Sequence, residues 1–407
     1  MENRNEFQAP QEINGWRTIG LGVGGVFSLI ILAIAVLSPG MREQALRSWL
    51  LGYIFWGGIG FGCLGVLILQ YLTGGAWGVV TRRILEAGAR TLPVLAVLFI
   101  PIAVGVTSLY EWTHLPNDEI IKHRQPYLSV EWFIIRSVLY FIMWGAMVYF
   151  LNKWSQRQDE AGDYETQLKM AQDASKFSGP TMVFFVLVVS FAAIDWVMTL
   201  DPHWFSTMWG FLFVAGWGLS CFCFVVAVLA YLSDKAPMNR IVGKRHFHDL
   251  GKLMLALVMV WAYFNFSQFL IIWSGNIPEE TTWYLRRQHG GWGVLGIVLV
   301  LFHFAFPFLV LLTREVKMKP KWLALLAIFI LVLRLVDMFF LISPNPRIAV
   351  PEQELGLLQS FSWMDIVAPI GIGGIWLWAF FGELLKRPLV PVNDPYLPNA
   401  IEHGKGH

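Results

Sequence analysis

The hydrocarbon core of a bilayer demands about 20 consecutive apolar residues per helix and leaves no water to satisfy an unpaired backbone group. This chain of 407 residues meets that demand ten times over. Spans are expected near 16 to 37, 48 to 73, 91 to 110, 131 to 151, 179 to 199, 207 to 232, 252 to 273, 291 to 312, 321 to 342 and 364 to 385. The fold class that follows is an all-α polytopic membrane protein with ten transmembrane helices. A composition 56% hydrophobic and only 14% charged excludes a soluble globular domain. Glu2, Glu6 and Glu12 precede the first span and Ser38-Pro39-Gly40 follows it, which reads as a retained helix and not a cleaved signal peptide.

Of the 30 Lys and Arg residues, 21 fall on the side shared by the two termini and seven on the other, so both termini are expected in the cytoplasm. The remaining two, Arg136 and Arg334, lie inside spans. Trp16, Trp49, Trp77, Trp112, Trp132, Trp154, Trp204, Trp273, Trp322 and Trp363 stand close to span ends, as expected for rings that anchor at headgroup level. A net charge of +2 spread over loops gives no reason to expect nucleic acid as a partner. Cys63, Cys221 and Cys223 all lie in apolar spans, and neither CxxC nor CxxCH occurs, so no metal, iron-sulfur or covalent haem site is expected on this chain.

Landmarks recur in order. Cys63 precedes Tyr71-Leu72-Thr73 by eight residues, and Cys223 precedes Tyr231-Leu232-Ser233 by the same interval. Trp112, Pro116, Asp118 and Glu119 are echoed by Trp273, Pro278, Glu279 and Glu280. Asp195 stands seven residues before Pro202, and Asp337 seven before Pro344, with the longer polar connection from 152 to 178 absorbing the change of register. The pattern predicts two parallel-repeat four-helix bundles related by an axis along the membrane normal. The expected divisions are 1–47 (N-terminus and first helix), 48–206 and 207–345 (the two bundles), and 346–407 (tenth helix and C-terminal tail).

A charge at membrane depth costs at least about 2.5 to 3.5 kcal/mol, so each one is a functional candidate. Arg136, Asp195, Arg334 and Asp337 form the main set, all in the outer half, with Glu131, Asp201 and His203 at the same boundary. Arg334 and Asp337 are spaced i,i+3, which fits a neutralising pair as well as a functional one. Asp195 has no basic neighbour on its own helix, and Arg136 is its candidate partner. His303 sits near mid-depth, either as a proton relay or quinone contact or as a packed bundle histidine. Asn265 and Gln268 suit interhelical hydrogen bonds or a hydrated path. On the cytoplasmic side Glu86, His246, His248, Asp249 and Glu383 are candidate proton entry groups, with loop solvation the competing reading. Gly74 to Gly78 lacks a phosphate-loop ending and reads as a turn into an interfacial helix, with Arg82, Arg83 and Arg90 toward lipid phosphates or a neighbouring subunit.

Gly58 to Cys63, Leu72-Thr73-Gly74-Gly75-Ala76-Trp77-Gly78, Arg82-Arg83, Thr91-Leu92-Pro93 and Leu109-Tyr110-Glu111-Trp112 together resemble the NrfD and polysulfide-reductase membrane anchors. The resemblance is to the smaller membrane subunits (ActF) of bacterial alternative complex III. It implies a place in the bacterial inner membrane and a part in quinol:cytochrome c oxidoreduction. The implied partners are a larger NrfD-like subunit, an iron-sulfur protein, c-type cytochromes, lipids and, as a further candidate, a terminal oxidase. Haem and iron-sulfur clusters belong to those partners, and quinol is the small molecule in play. The expected role is a scaffold without its own redox cofactor, carrying a proton pathway through Glu86, His248, Asp249, His303, Asp195, Arg136, Arg334 and Asp337. The alternatives are a quinol site at Glu131, Arg136, Asp195 and His203, and a standalone secondary transporter.

Overall fold

The computed structural model describes residues 7–349 and 354–405. Among them ten helices are long and apolar enough to cross a membrane: α1 Glu12–Leu37, α2 Pro39–Thr73, α3 Ala76–Val104, α4 Val130–Glu160, α5 Tyr164–Leu200, α6 Trp209–Ser233, α7 Lys244–Gly275, α8 Trp292–Leu312, α9 Pro320–Ile342 and α10 Met364–Leu384. A short amphipathic helix, α11 Leu397–Lys405, follows. An even number of crossings returns the chain to the side where it starts, and Leu389 N–H donates to the Phe7 carbonyl there at 2.8 Å. That side is called the terminal face below.

Local chemistry sets the helix ends. Asp163 accepts from Thr166 N–H at 2.7 Å to start α5, Ser129 accepts from Trp132 N–H to start α4, and Asn276 in the left-handed region ends α7. Arg42 reaches back to the Ala35 and Val36 carbonyls and satisfies acceptors that the end of α1 leaves open.

Two helix lengths differ from the sequence expectation. The polar connection expected over 152–178 is helical to Glu160 and again from Tyr164, and α3 begins at Ala76 and not near 91, with a break between Ala89 and Leu92. A window that scores apolar character ends each span at its first charges, whereas these charges are accommodated by pairing across helices.

The enclosed centre is α2 and α6, whose apolar windows are the most buried of the ten. They pack on each other; α2 also packs on α3 and α5, and α6 on α7 and α9. α4 packs on α3 and α5, α8 on α7 and α9, and the two sides meet additionally through α5 with α6 and α9 with α2. α1 and α10 lie together on the α2 flank. Their contact is the most extensive between any two helices, and glycines meet in it: a Cβ on Gly24 would fall 2.4 Å from Ile375 N, and one on Gly374 2.5 Å from Gly20 O.

Trp16, Trp132, Trp273, Trp322 and Trp363 are exposed at helix ends, as headgroup anchors should be. Trp49, Trp112 and Trp204 depart from that expectation and are buried. Trp49 donates to the Leu98 carbonyl at 2.9 Å and Trp204 to the Glu280 carbonyl at 3.1 Å, so an internal acceptor holds each of these two rings away from the interface.

Candidate functional site

Asp195 lies five residues before the end of α5, about 8 Å below the face opposite the termini. Its carboxylate is enclosed and accepts from Arg136 Nε at 2.8 Å, Arg136 Nη2 at 3.0 Å and Tyr140 Oη at 2.6 Å. The guanidinium stacks on Tyr127, 3.8 Å from the ring centroid, and donates to the Tyr127 carbonyl at 3.0 Å. The planar fork thus meets a carboxylate on its edge and an aromatic ring on its face, the geometry that suits Arg and not Lys.

Asp337 stands at the matching depth on α9, five residues before its end. It is buried, pairs with Arg334 one turn earlier, and accepts from Trp261 Nε1 of α7 at 3.2 Å. The Trp261 ring also packs on the His303 imidazole with centroids 4.1 Å apart. His303 is fully buried, and neither ring nitrogen has a hydrogen-bond partner among the described residues. It sits in a π-helical turn, Leu299–Ala305. Four residues later Pro307 lacks the N–H that would answer the His303 carbonyl, which loosens the helix locally.

Trp261, Asn265, Gln268, Tyr284, Leu299 and Asp337 line a cavity of about 590 Å³. Exposed Tyr263, Phe266 and Val300 on the same wall turn its mouth toward the bilayer. Gln268 donates to Tyr284 Oη at 3.1 Å and accepts from Ser206 at 2.9 Å. Burial pushes the Tyr284 phenol up to about 12, so it stays protonated at neutral pH.

No family model and no curated protein matches this chain. Its chemistry therefore rests on what these side chains do.

On the terminal face Glu86 is buried and accepts from Arg83 at 2.7 Å, Ser155 at 2.7 Å and Arg387 at 3.3 Å, with Arg90 at 3.7 Å. Arg83 also pairs with Asp159, Arg82 with Asp394 at 2.6 Å, and Arg90 with Glu383 at 2.9 Å. Arg82 and Arg83 are buried and Arg90 is largely so, and each has a carboxylate partner within this chain in addition to the lipid phosphates or neighbouring subunit that the sequence suggests. Their guanidinium groups tie α3 to α4 and to the C-terminal segment. His248 lies 3.9 Å from Asp249, which pairs with His403 of α11 at 2.8 Å. His246 is buried, held by the Gly243 N–H and the Ala400 carbonyl at 3.0 Å each.

Glu131 is exposed, apart from the Arg136–Asp195 pair. His203 is bonded to Asp118 at 3.1 Å, and Asp201 to Arg286 at 2.7 Å. With Glu111, Asn345 and Arg347 they line a cavity of about 510 Å³. Desolvation first and the neighbouring Asp201 second push the Glu111 carboxyl above its ordinary value. Sequence reasoning missed Tyr140, Tyr127 and Trp261, whose side chains complete the two pairs. Arg136 and Asp195 were visible because they are charged at depth. A Tyr or Trp in an apolar span carries no comparable mark. Among the described residues no three His, Cys, Asp or Glu side chains gather as metal ligands would.

Proposed function

We propose that the chain is a membrane subunit of a bacterial quinol:cytochrome c (or other periplasmic acceptor) oxidoreductase, and that its own part is to scaffold partner subunits and conduct protons. The observation that carries the proton role is the run from His303 through Trp261 to Asp337 at the edge of a cavity. It joins an imidazole with two unanswered nitrogens to a buried carboxylate through one indole. Water in the cavity would hand a proton to Asp337, and Arg334 would stabilise the carboxylate once it is released. Haem and iron-sulfur chemistry belong to partner subunits on this reading, with the larger NrfD-like subunit, an iron-sulfur protein and c-type cytochromes alongside.

The architecture in this proposal is a parallel repeat, α2 to α5 and α6 to α9, flanked by α1 and α10. It is supported by matched neighbours: α2 with α3, α4 with α5 and α2 with α5 correspond to α6 with α7, α8 with α9 and α6 with α9. The excess of basic residues on the terminal face supports cytoplasmic termini in a bacterial inner membrane.

The test is proton release per quinol oxidised in the assembled complex with Asp337→Asn, and in parallel Asp195→Asn. A fall in Asp337→Asn with electron transfer retained is the expected result, and unchanged stoichiometry in both variants removes the proposal. A second reading, quinol binding, is favoured by the bilayer-facing mouth of the Asp337 cavity. A photoreactive quinone would then label α7 to α9, whereas labelling of α4 and α5 would return the site to Arg136 and Asp195. A transporter, the third reading, should purify without haem proteins.

A further inference from the structure

At the terminal face the end of α2, the Gly74-Gly75 turn, the start of α3, the first third of α5 and α11 enclose a cavity of about 680 Å³. Two of its walls carry three polar atoms with no hydrogen-bond partner among the described residues: Gln70 Oε1 and Tyr71 Oη on α2 and Arg82 Nε on α3. These side chains are 5%, 8% and 1% exposed. Each buried polar atom left unanswered costs about 1 to 3 kcal/mol, so three around one cavity point to something that answers them.

The surroundings say what kind of group. α3 opens on this cavity with no side-chain cap, and the chain enters it through Gly74 at φ 69° and Gly75 at φ 104°, backbone conformations that glycine alone adopts cheaply. A helical segment of 14 residues thus turns its positive end to the cavity with no Cβ on the turn before it. Lys176 and His403 stand on the rim. Asp394, a carboxylate in the wall, is already occupied by Arg82 at 2.6 Å. The Arg82 guanidinium is stacked 5.6 Å over the Tyr71 ring, which holds both toward the same space. Unanswered donors and positive ends suit a phosphoryl group, and the Gln70 carbonyl oxygen suits a hydroxyl beside it.

Deeper along α2 and α5, two of the helices around this cavity, lies an apolar crevice of about 290 Å³ lined by Gly65, Leu69, Met182, Phe185, Val189 and Leu257. Met182 lies six residues beyond Lys176, about 9 Å deeper in the membrane. A roomy pocket with buried polar atoms in its lining at headgroup depth, beside an apolar slot, has the shape of one kind of molecule. We propose that this site holds an anionic phospholipid with a hydroxyl-bearing headgroup, its phosphate against Tyr71, Arg82 and the start of α3 and one acyl chain between α2 and α5.

The experiment uses the full chain, delipidated in detergent, with native mass spectrometry of added phosphatidylglycerol and of phosphatidylcholine with the same acyl chains. Inorganic phosphate is the competitor. Wild type is expected to retain phosphatidylglycerol selectively, unaffected by phosphate. Lys176→Gln, at an exposed position, is expected to weaken it about fivefold, the effect of one cation near a lipid phosphate. Tyr71→Phe should weaken it further, and Leu69→Phe should reduce binding of both lipids by filling the crevice. Equal retention of the two lipids, or unchanged affinity in the Lys176→Gln/Tyr71→Phe double variant, overturns the proposal. Displacement by inorganic phosphate assigns the pocket to a free anion and overturns the lipid.

Discussion

Replacing Arg136 by Met leaves the Asp195 carboxylate enclosed in α5 with Tyr140 as its remaining side-chain donor, since two of its three side-chain hydrogen bonds come from the guanidinium. Breaking one partner of a buried pair costs about 3 to 5 kcal/mol, because the survivor keeps its desolvation penalty and loses its compensation. Asp195→Leu strands the guanidinium in the same way, with Tyr127 stacking as partial relief. The double variant Arg136→Met/Asp195→Leu removes both charges and leaves apolar side chains of similar volume, so its stability should lie within about 1 kcal/mol of wild type or above it. The assay is reversible unfolding in mixed micelles of all four proteins, read as a double-mutant cycle. A coupling of about 5 kcal/mol or more is expected. If the double variant is destabilised by the sum of the two singles, the pair contributes no coupling and the reading of this site as a compensated ion pair is refuted.

Further outcomes follow from other parts of the molecule. A Cβ on Gly216 would fall 2.3 Å from Arg334 Nη2, so Gly216→Ala should cost about 1 to 3 kcal/mol by overpacking, measured by the same unfolding assay, and should lower proton release with Asp337 intact. The raised Glu111 carboxyl favours the protonated form in the folded state. Its contribution is therefore present below the ordinary value of 4.5 and lost as pH rises through the raised value, and Glu111→Gln should flatten that slope of stability against pH. Cys63 and Cys221 present their sulfur atoms to each other at 3.7 Å between α2 and α6, so a membrane-permeant oxidant should protect both thiols from later alkylation together, while Cys223 stays alkylatable after unfolding.

Ten spans were legible because a bilayer reads little beyond length and apolarity, and the intramembrane charges were legible for the same reason. The partnership of Arg136 with Asp195 was anticipated as a candidate and is a bidentate contact in the structure. What stayed hidden depends on neighbours distant in sequence. Glu86 and Arg83 look like loop charges until Ser155, Asp159 and Arg387 arrive from other segments to bond them. Trp49 looks like an interfacial ring until the Leu98 carbonyl accepts its N–H. The π-helical turn at His303 did have a local signal in Pro307, four residues on, but a span-scale reading registers no single missing donor.

The seam between α1 and α10, glycine set against glycine, has a bearing on how the protein is made. α1 leaves the ribosome well ahead of α10 and turns little of itself toward anything but α10 and α2, so its principal mate follows only after eight intervening spans. During translation it must wait in the lipid with α2 as its one neighbour, and the seam closes only when α10 arrives. A stop codon ahead of α10 would therefore free the opening helix as well, and quality-control proteases would meet two loose ends instead of one.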